Sequence, residues 1–167
     1  MAVQSHYNAT SFWSMYAEIS PPPFEIRHLY PLPMFHVSTV PGVHAGPLRG
    51  GHTAYIMRRF ELEPFLASIE KFQIPVLGMV PPLVIAIIMS PLRHKYSLKS
   101  LRRLAAGAAP LDAESQRRFR ELCAPDCTFT QVTGMTETTS AVTLFYYPDD
   151  DDTGSVGNTF IPNTDIK

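Results

Sequence analysis

The chain has 167 residues, a net charge of −1 and a pI near 6.6. A chain of that length is one domain or a piece of a larger one, and its near-neutral balance leaves no electrostatic footprint for nucleic acid. The longest apolar run, Val76 to Met89, is too short to span a bilayer and is interrupted by Pro81-Pro82.

In chain order, "HYNATSFWSMYAEI" predicts a helix from about Ala9 to Ile19, with Asn8 as N-cap and Phe12, Met15 and Tyr16 at helical spacing. "IRHLYPLPMFHVS" reads as a short strand closed by a proline-bounded turn, and "HVSTVPGVHAGPLRGG" as a loop or a broken helix. "HTAYIMRRF" alternates as a strand does. In "ELEPFLASIEKFQI", Leu62, Phe65, Leu66, Ile69 and Phe72 recur every three or four residues, and Pro64 sits in the tolerated first turn of the predicted helix. "PVLGMV" is a short apolar strand. "PLVIAIIMSPL" is a helix apolar on most faces and so expected to be buried.

A strand follows at Leu101 to Ala105, then the small-residue turn "GAAPL". Asp112 caps a helix over "AESQRRFRELC". "CTFTQVTG" and "SAVTLFYY" are predicted strands, "PDDDDTG" a solvated acidic turn, and "SVGNTFIPNTDIK" the start of another short strand. This alternation argues for an α/β fold with a largely parallel sheet flanked by helices. Ligands in such sheets bind beyond the strand carboxyl ends, where "GAAPL" and "TQVTGMTE" both fall.

Cys123 and Cys127 form a C-x₃-C pair with no second pair after it, and are expected to be free, buried thiols. The six histidines, His6, His28, His36, His44, His52 and His94, show no pairing at helical zinc-site spacing. "AGPLRGG" lacks the Gly-Lys-Ser/Thr ending of a P-loop, and no G-x-S-x-G elbow is present for a serine hydrolase.

The stretch "QVTGMTET" carries the densest chemistry. Gly134 permits close backbone approach or positive φ. Thr133, Thr136 and Thr138 offer hydroxyls to phosphate oxygens, and Glu137 is a hard oxygen ligand suited to Mg²⁺. The same residues also suit a β-turn with a surface glutamate. Likewise "GAAP", Gly107 to Pro110, suits either a flat ring lying on the backbone or plain close packing. Arg58 and Arg59 fit a solvated face as well as a binding site.

Taken together, "PLPMFHVS", "VPPLVIAIIMSPL", "YSLKSLRRLAAGAAPL", "QVTGMTETT" and "TGSVGNTFIPN" resemble, in order and spacing, the adenylate-forming (AMP-binding) superfamily. The likeness is to acyl- and aryl-CoA ligases of the 4-coumarate–CoA ligase type, over essentially the whole chain. It implies an enzyme that joins a carboxylic acid to AMP from ATP, releasing pyrophosphate, then passes the acyl group to coenzyme A, with Mg²⁺ assisting. The resemblance places His36 by the acyl pocket and thiol path, and Ser38 in the carboxylate substrate's pocket. Gly107, Ala108 and Ala109 would face the adenine and acyl group. Gln131, Val132, Thr133, Gly134 and Met135 would line the adenylate, Thr136 would hold the phosphate, Glu137 the Mg²⁺, and Arg59 would touch CoA.

Two departures stand out. Relatives carry an aromatic residue where Thr133 stands, and commonly glycine where Val132 narrows the pocket. Residues 1–167 are thus expected to be a partial N-terminal adenylation domain, without the upstream ATP phosphate loop or the C-terminal domain. Little or no ligase activity is expected of this chain alone, the alternative being a non-catalytic binding remnant. Self-association through exposed sheet edges is expected. A cytoplasmic location is expected, since no secretory signal opens the chain and no peroxisomal tripeptide ends it; a full-length relative would also suit the peroxisome.

Overall fold

The computed structural model describes residues 2–16 and 22–161. Five short strands, β1 (Arg27–Tyr30), β2 (Thr53–Ile56), β3 (Val76–Met79), β4 (Arg103–Ala106) and β5 (Thr128–Gln131), form an all-parallel sheet in the order β2-β1-β3-β4-β5. Three more, β6 (Thr133–Met135), β7 (Ser140–Leu144) and β8 (Thr159–Phe160), make a small antiparallel sheet. The α/β expectation holds. One predicted strand does not: "CTFTQVTG" is not continuous, because Val132 N–H makes a last bond to Ala106 O (2.9 Å) and the chain then leaves β4 to pair with β7.

Helices connect the parallel strands, and one more precedes β1. The first, α1 (His6–Tyr16), begins earlier than its sequence suggests. Ser5, not Asn8, supplies the capping oxygen, accepting from Asn8 N–H at 3.1 Å. Residues 17–19 of the predicted helix, and the side chains of Met15 and Tyr16, lie outside the described residues. The ambiguous stretch after β1 is a broken helix: a π-type turn at Pro41–Ala45 runs into α2 (Gly46–Gly50). Its glycines recur every fourth residue and permit close packing. A Cβ on Gly42 would lie 1.6 Å from the Tyr30 hydroxyl oxygen, and one on Gly50 2.6 Å from His52 Nε2.

In α3 (Leu62–Phe72), Phe65, Leu66 and Ile69 face inward, and Gln73 ends the helix in the left-handed region at φ 48°. In α4 (Pro81–Met89), Leu83, Val84, Ile87 and Ile88 are buried, but Pro82, Ile85, Ala86 and Met89 form an exposed apolar stripe. Burial all round is therefore not observed; the helix lies over the sheet with one side outward. The expected Asp112 cap opens α5 (Ala113–Arg120), its carboxylate accepting from Ser115 N–H at 2.8 Å. Hydrogen bonds from Ser115 hold that carboxyl below its ordinary range.

The main core lies between the sheet and these helices. Leu77, Leu104 and Phe129 form one row across β3, β4 and β5. Phe119 of α5 meets Phe129 edge-on at 5.8 Å, and α4 packs beside α5. Cys123 and Cys127 are buried and unbridged; the contact with Cys127 and burial push the Cys123 thiol up. A smaller cluster of Phe12, Leu144 and Ile161, with Trp13 and Val132 against it, joins α1 to the antiparallel sheet. Among the described residues no helix is long and apolar enough to cross a membrane.

Thr139 is the strained point of the small sheet. It sits in the left-handed region at φ 66°, is 4% exposed, and its hydroxyl has no partner among the described residues. A β-branched residue there costs about 1–3 kcal/mol, and a buried unpaired hydroxyl costs more. Thr139→Gly should stabilise the chain by about 1 kcal/mol after the entropy cost of glycine. Urea melts of the two proteins check this.

Candidate functional site

Every site residue named from the sequence lies at or beyond the carboxyl end of a parallel strand. His36 and Ser38 follow β1, Arg59 follows β2, Gly107 to Ala109 follow β4, and Gln131 ends β5 with Val132 to Glu137 beyond it. The strand order reverses direction between β1 and β3, since the chain leaves β1 for β2 and returns on the other side. Such a switch point opens a crevice between diverging loops.

Two of the predicted clusters touch directly. Ala106 and Gln131 are paired in β4 and β5, so the chain segments that follow them start side by side. A Cβ on Gly107 would lie 3.1 Å from Val132 Cγ2, so glycine is what lets Val132 pack there. Beyond it Ala108, Ala109 and Pro110 are exposed, with Ala108 in the left-handed region at φ 71°. The result is a bare ledge with little side chain. Non-glycine residues in that conformation cost about 1–3 kcal/mol and persist only where their surroundings impose it.

Gln131 is what imposes it. The side chain is 2% exposed, on the row with Met79 and Ala106, and it turns into the protein rather than toward a ligand. Its Oε1 accepts from Leu111 N–H and its Nε2 donates to Leu111 O, both at 2.9 Å. The amide clasps the residue that closes the ledge, so any contact of Gln131 with an adenylate is left to its backbone.

Past β5, Thr133 to Glu137 are exposed. Thr136, Glu137 and Thr138 form a 3₁₀ turn, and Gln4 donates through Nε2 to Thr136 O. The hydroxyls are not equivalent. Thr138 Oγ1 is engaged with Met135 N–H and lies 3.1 Å from both Met135 O and Ser140 O, so it is spent on the turn. Thr133 and Thr136 are exposed and their hydroxyls make no hydrogen bond among the described residues, nor does an ion pair reach Glu137 among them. Gly134 is not a positive-φ residue; its close approach is to the chain's own Ser140.

His36 is exposed, and Ser38 fixes its ring. Nδ1 accepts from Ser38 N–H at 3.2 Å and lies 2.8 Å from Ser38 Oγ. An Nδ1 that accepts a backbone proton leaves the neutral ring's proton on Nε2, pointing a donor away from the loop. Arg59 is 80% exposed and pairs with Glu61 at 2.9 Å, so its charge is partly answered.

Sequence reasoning missed the amide partner of Gln131, which is Gln116 of α5, and it took the acidic turn as merely solvated. Asp150 accepts from Phe129 N–H at 2.8 Å and pairs with Arg120 at 2.9 Å, while Asp151 caps Gly154 and Ser155. A signal for the first was present: Gln116 shares its helix face with Phe119, three residues on.

The family model for AMP-binding enzyme matches residues 1–167. An acyl-CoA synthetase from Alternaria alternata, ACTT5, is 62% identical over 99% of this chain and 29% of its own length. The phenylacetyl-CoA ligase epaB of Aspergillus niger is 42% identical over 98% of this chain and 30% of its own. The chain thus spans less than a third of either relative. Among solved structures, the N-terminal domain of FACL13 from Mycobacterium tuberculosis superposes with a TM-score of 0.74 at 24% identity, covering 86% of this chain and 36% of that one.

Proposed function

Since the chain belongs to the AMP-binding enzyme family, we propose that it forms the acyl- and nucleotide-facing surface of an AMP-forming acid–thiol ligase, which adenylates a carboxylic acid and passes the acyl group to CoA. The observation that carries this reading is the pairing of β4 with β5. It sets the bare Gly107–Pro110 ledge beside the segment bearing Glu137, Thr133 and Thr136, whose side chains are unpaired among the described residues.

In this reading the ledge takes the flat adenine and acyl group, because residues without long side chains let a ring lie on the backbone. Thr136 donates to an α-phosphate oxygen. Glu137 and Thr136 are hard oxygen donors whose side chains have no other partner among the described residues, so they would fit Mg²⁺, which takes one or two protein carboxylates with phosphate and water. When bound there, Mg²⁺ neutralises charge building on the phosphates. His36 holds its Nε2 proton outward as a donor that orients the acid's carboxyl oxygen, with Ser38 fixing the ring. Val132 narrows the acyl side, which favours a slim aryl or acyl chain. In this reading Arg59, exposed beyond β2, would meet CoA phosphates.

Isothermal titration of the chain with AMP, with and without Mg²⁺, tests the assignment. Mg²⁺ is expected to tighten AMP binding about tenfold in the native chain and to have no effect on Glu137→Gln. AMP binding that ignores Mg²⁺, or is equal in the variant, removes Glu137 from the site. No AMP binding at millimolar concentration removes the nucleotide reading itself.

A further inference from the structure

We infer that Gln116, a residue of α5 outside the candidate site, is a positioning residue that holds the Gly107–Pro110 ledge in its strained shape through Gln131. The inference rests on the assignment of that ledge to the nucleotide.

The argument starts from burial. Gln116 is 1% exposed on the inner face of α5, and a buried amide must have its donors and acceptor satisfied. Its two N–H protons go to two backbone carbonyls, Phe129 O of β5 at 2.5 Å and Asp151 O of the β7–β8 loop. That leaves no freedom to flip, so Oε1 must face the other way. There it accepts from Gln131 Nε2 at 3.3 Å. Gln131 is thereby oriented in turn, with its Nε2 toward Gln116 and its Oε1 toward Leu111 N–H.

The consequence falls on the ledge. Its near end is tied to the sheet by Gly107 N–H donating to Met79 O at 3.1 Å. Its far end is Leu111, clasped by the Gln131 amide through both N–H and C=O. Ala108 stays in the left-handed region only while both ends are held. Gln116 is thus the node joining β5, the acidic loop and, through Gln131, the ledge. Removing its amide leaves a buried Gln131 proton without a partner and loosens the clasp, although Gln116 itself meets no ligand.

The test is Gln116→Leu in the 167-residue chain, studied well below its melting temperature. Two quantities are read: amide hydrogen exchange at Leu111 and the dissociation constant for AMP. Leu111 exchange is expected to quicken at least tenfold while the Leu77 and Leu104 amides stay protected, and AMP binding is expected to weaken about tenfold. An unchanged Leu111 amide overturns the inference. So does a loosened Leu111 with AMP affinity intact, since that is a structural role only. If Gln116→Leu does not fold, Gln116→Met removes the amide at closely matched length and is expected to deprotect Leu111 in the same way; a Leu111 that stays protected there overturns the inference as well. A native chain that does not bind AMP sinks the nucleotide assignment, and exchange at Leu111 then decides separately whether Gln116 holds the turn.

Discussion

Gly134→Ala is expected to destabilise the chain by about 3 kcal/mol and, on the proposed function, to abolish AMP binding with it. A Cβ at this position would lie 2.2 Å from Ser140 O, 2.7 Å from Ser140 C and 2.9 Å from Ala141 Cα. All three are backbone atoms of the paired strand β7, so no side-chain rotation relieves the clash. The pairing already carries an irregularity between Thr133 and Gly134, and Ser140 sits at φ 142°, so there is little slack to absorb a methyl group. Overpacking a well-fitted site costs about 1–3 kcal/mol, and a clash with backbone belongs at the upper end. Since β6 carries Thr133 and leads into Thr136 and Glu137, separating β6 from β7 also disperses the residues proposed to meet the phosphate. Urea unfolding followed by fluorescence of Trp13, which packs on the same small cluster, reads the loss directly. Gly78→Ala is the control, because no atom lies within 4 Å of its Cβ position. A Gly134→Ala chain as stable as the control would mean that the two strands part freely.

Acid is expected to cost the fold as much as about 3 kcal/mol between pH 6.5 and pH 4. The cause is His28 on β1. Burial, then the neighbouring His52 and Arg103, lower its pKa from 6.5 to about 4. Its ring lies 6.3 Å from that of His52 and 5.4 Å from that of Tyr30. Burial lowers His52 as well. Both directions disfavour the charged form in the folded chain. In the window between the two His28 values the unfolded chain therefore binds a proton that the folded chain refuses. Stability is complete above about pH 6.5, falls as pH drops toward 4 and levels off below, at about 1.4 kcal/mol for each pKa unit. Urea melts at pH 7 and pH 4.5 should show the loss, and His28→Gln should flatten it. An equal slope in that variant would place the acid sensitivity elsewhere.

Much of the architecture was legible because the local signals agreed with one another. The apolar spacing of Phe65, Leu66 and Ile69 sets α3, the Asp112 side chain caps α5, and paired prolines start α4, each as the residues suggest. What escaped is what depends on the partner strand. Nothing within "CTFTQVTG" marks Val132 as a break, since neither Gln131 before it nor Thr133 after it stops a strand; only the loss of β4 as a neighbour ends β5 there. Ser5 and Asn8 are equally good caps by type, and the geometry favours the earlier one. At the site, the residues were legible but their duties were not. Gln131, Thr138 and Gly134 serve the chain's own turn and strands, while Glu137, Thr136 and the ledge face outward. A sequence shows which groups a ligand would want and not which of them a neighbour has already engaged.

The run of aspartates after β7 has a consequence for how the molecule behaves in a crowded solution. β5 is the last strand of its sheet, and the outward N–H and C=O of Phe129 are the rung on which another chain would begin to add. Asp150 occupies the N–H; Gln116 and Arg120 occupy the C=O. The carboxylate that stoppers this rung also brings charge that an approaching strand would have to desolvate. On this side the rung at Phe129 is closed to an incoming strand by one carboxylate of a four-aspartate run that at first sight only keeps a loop wet.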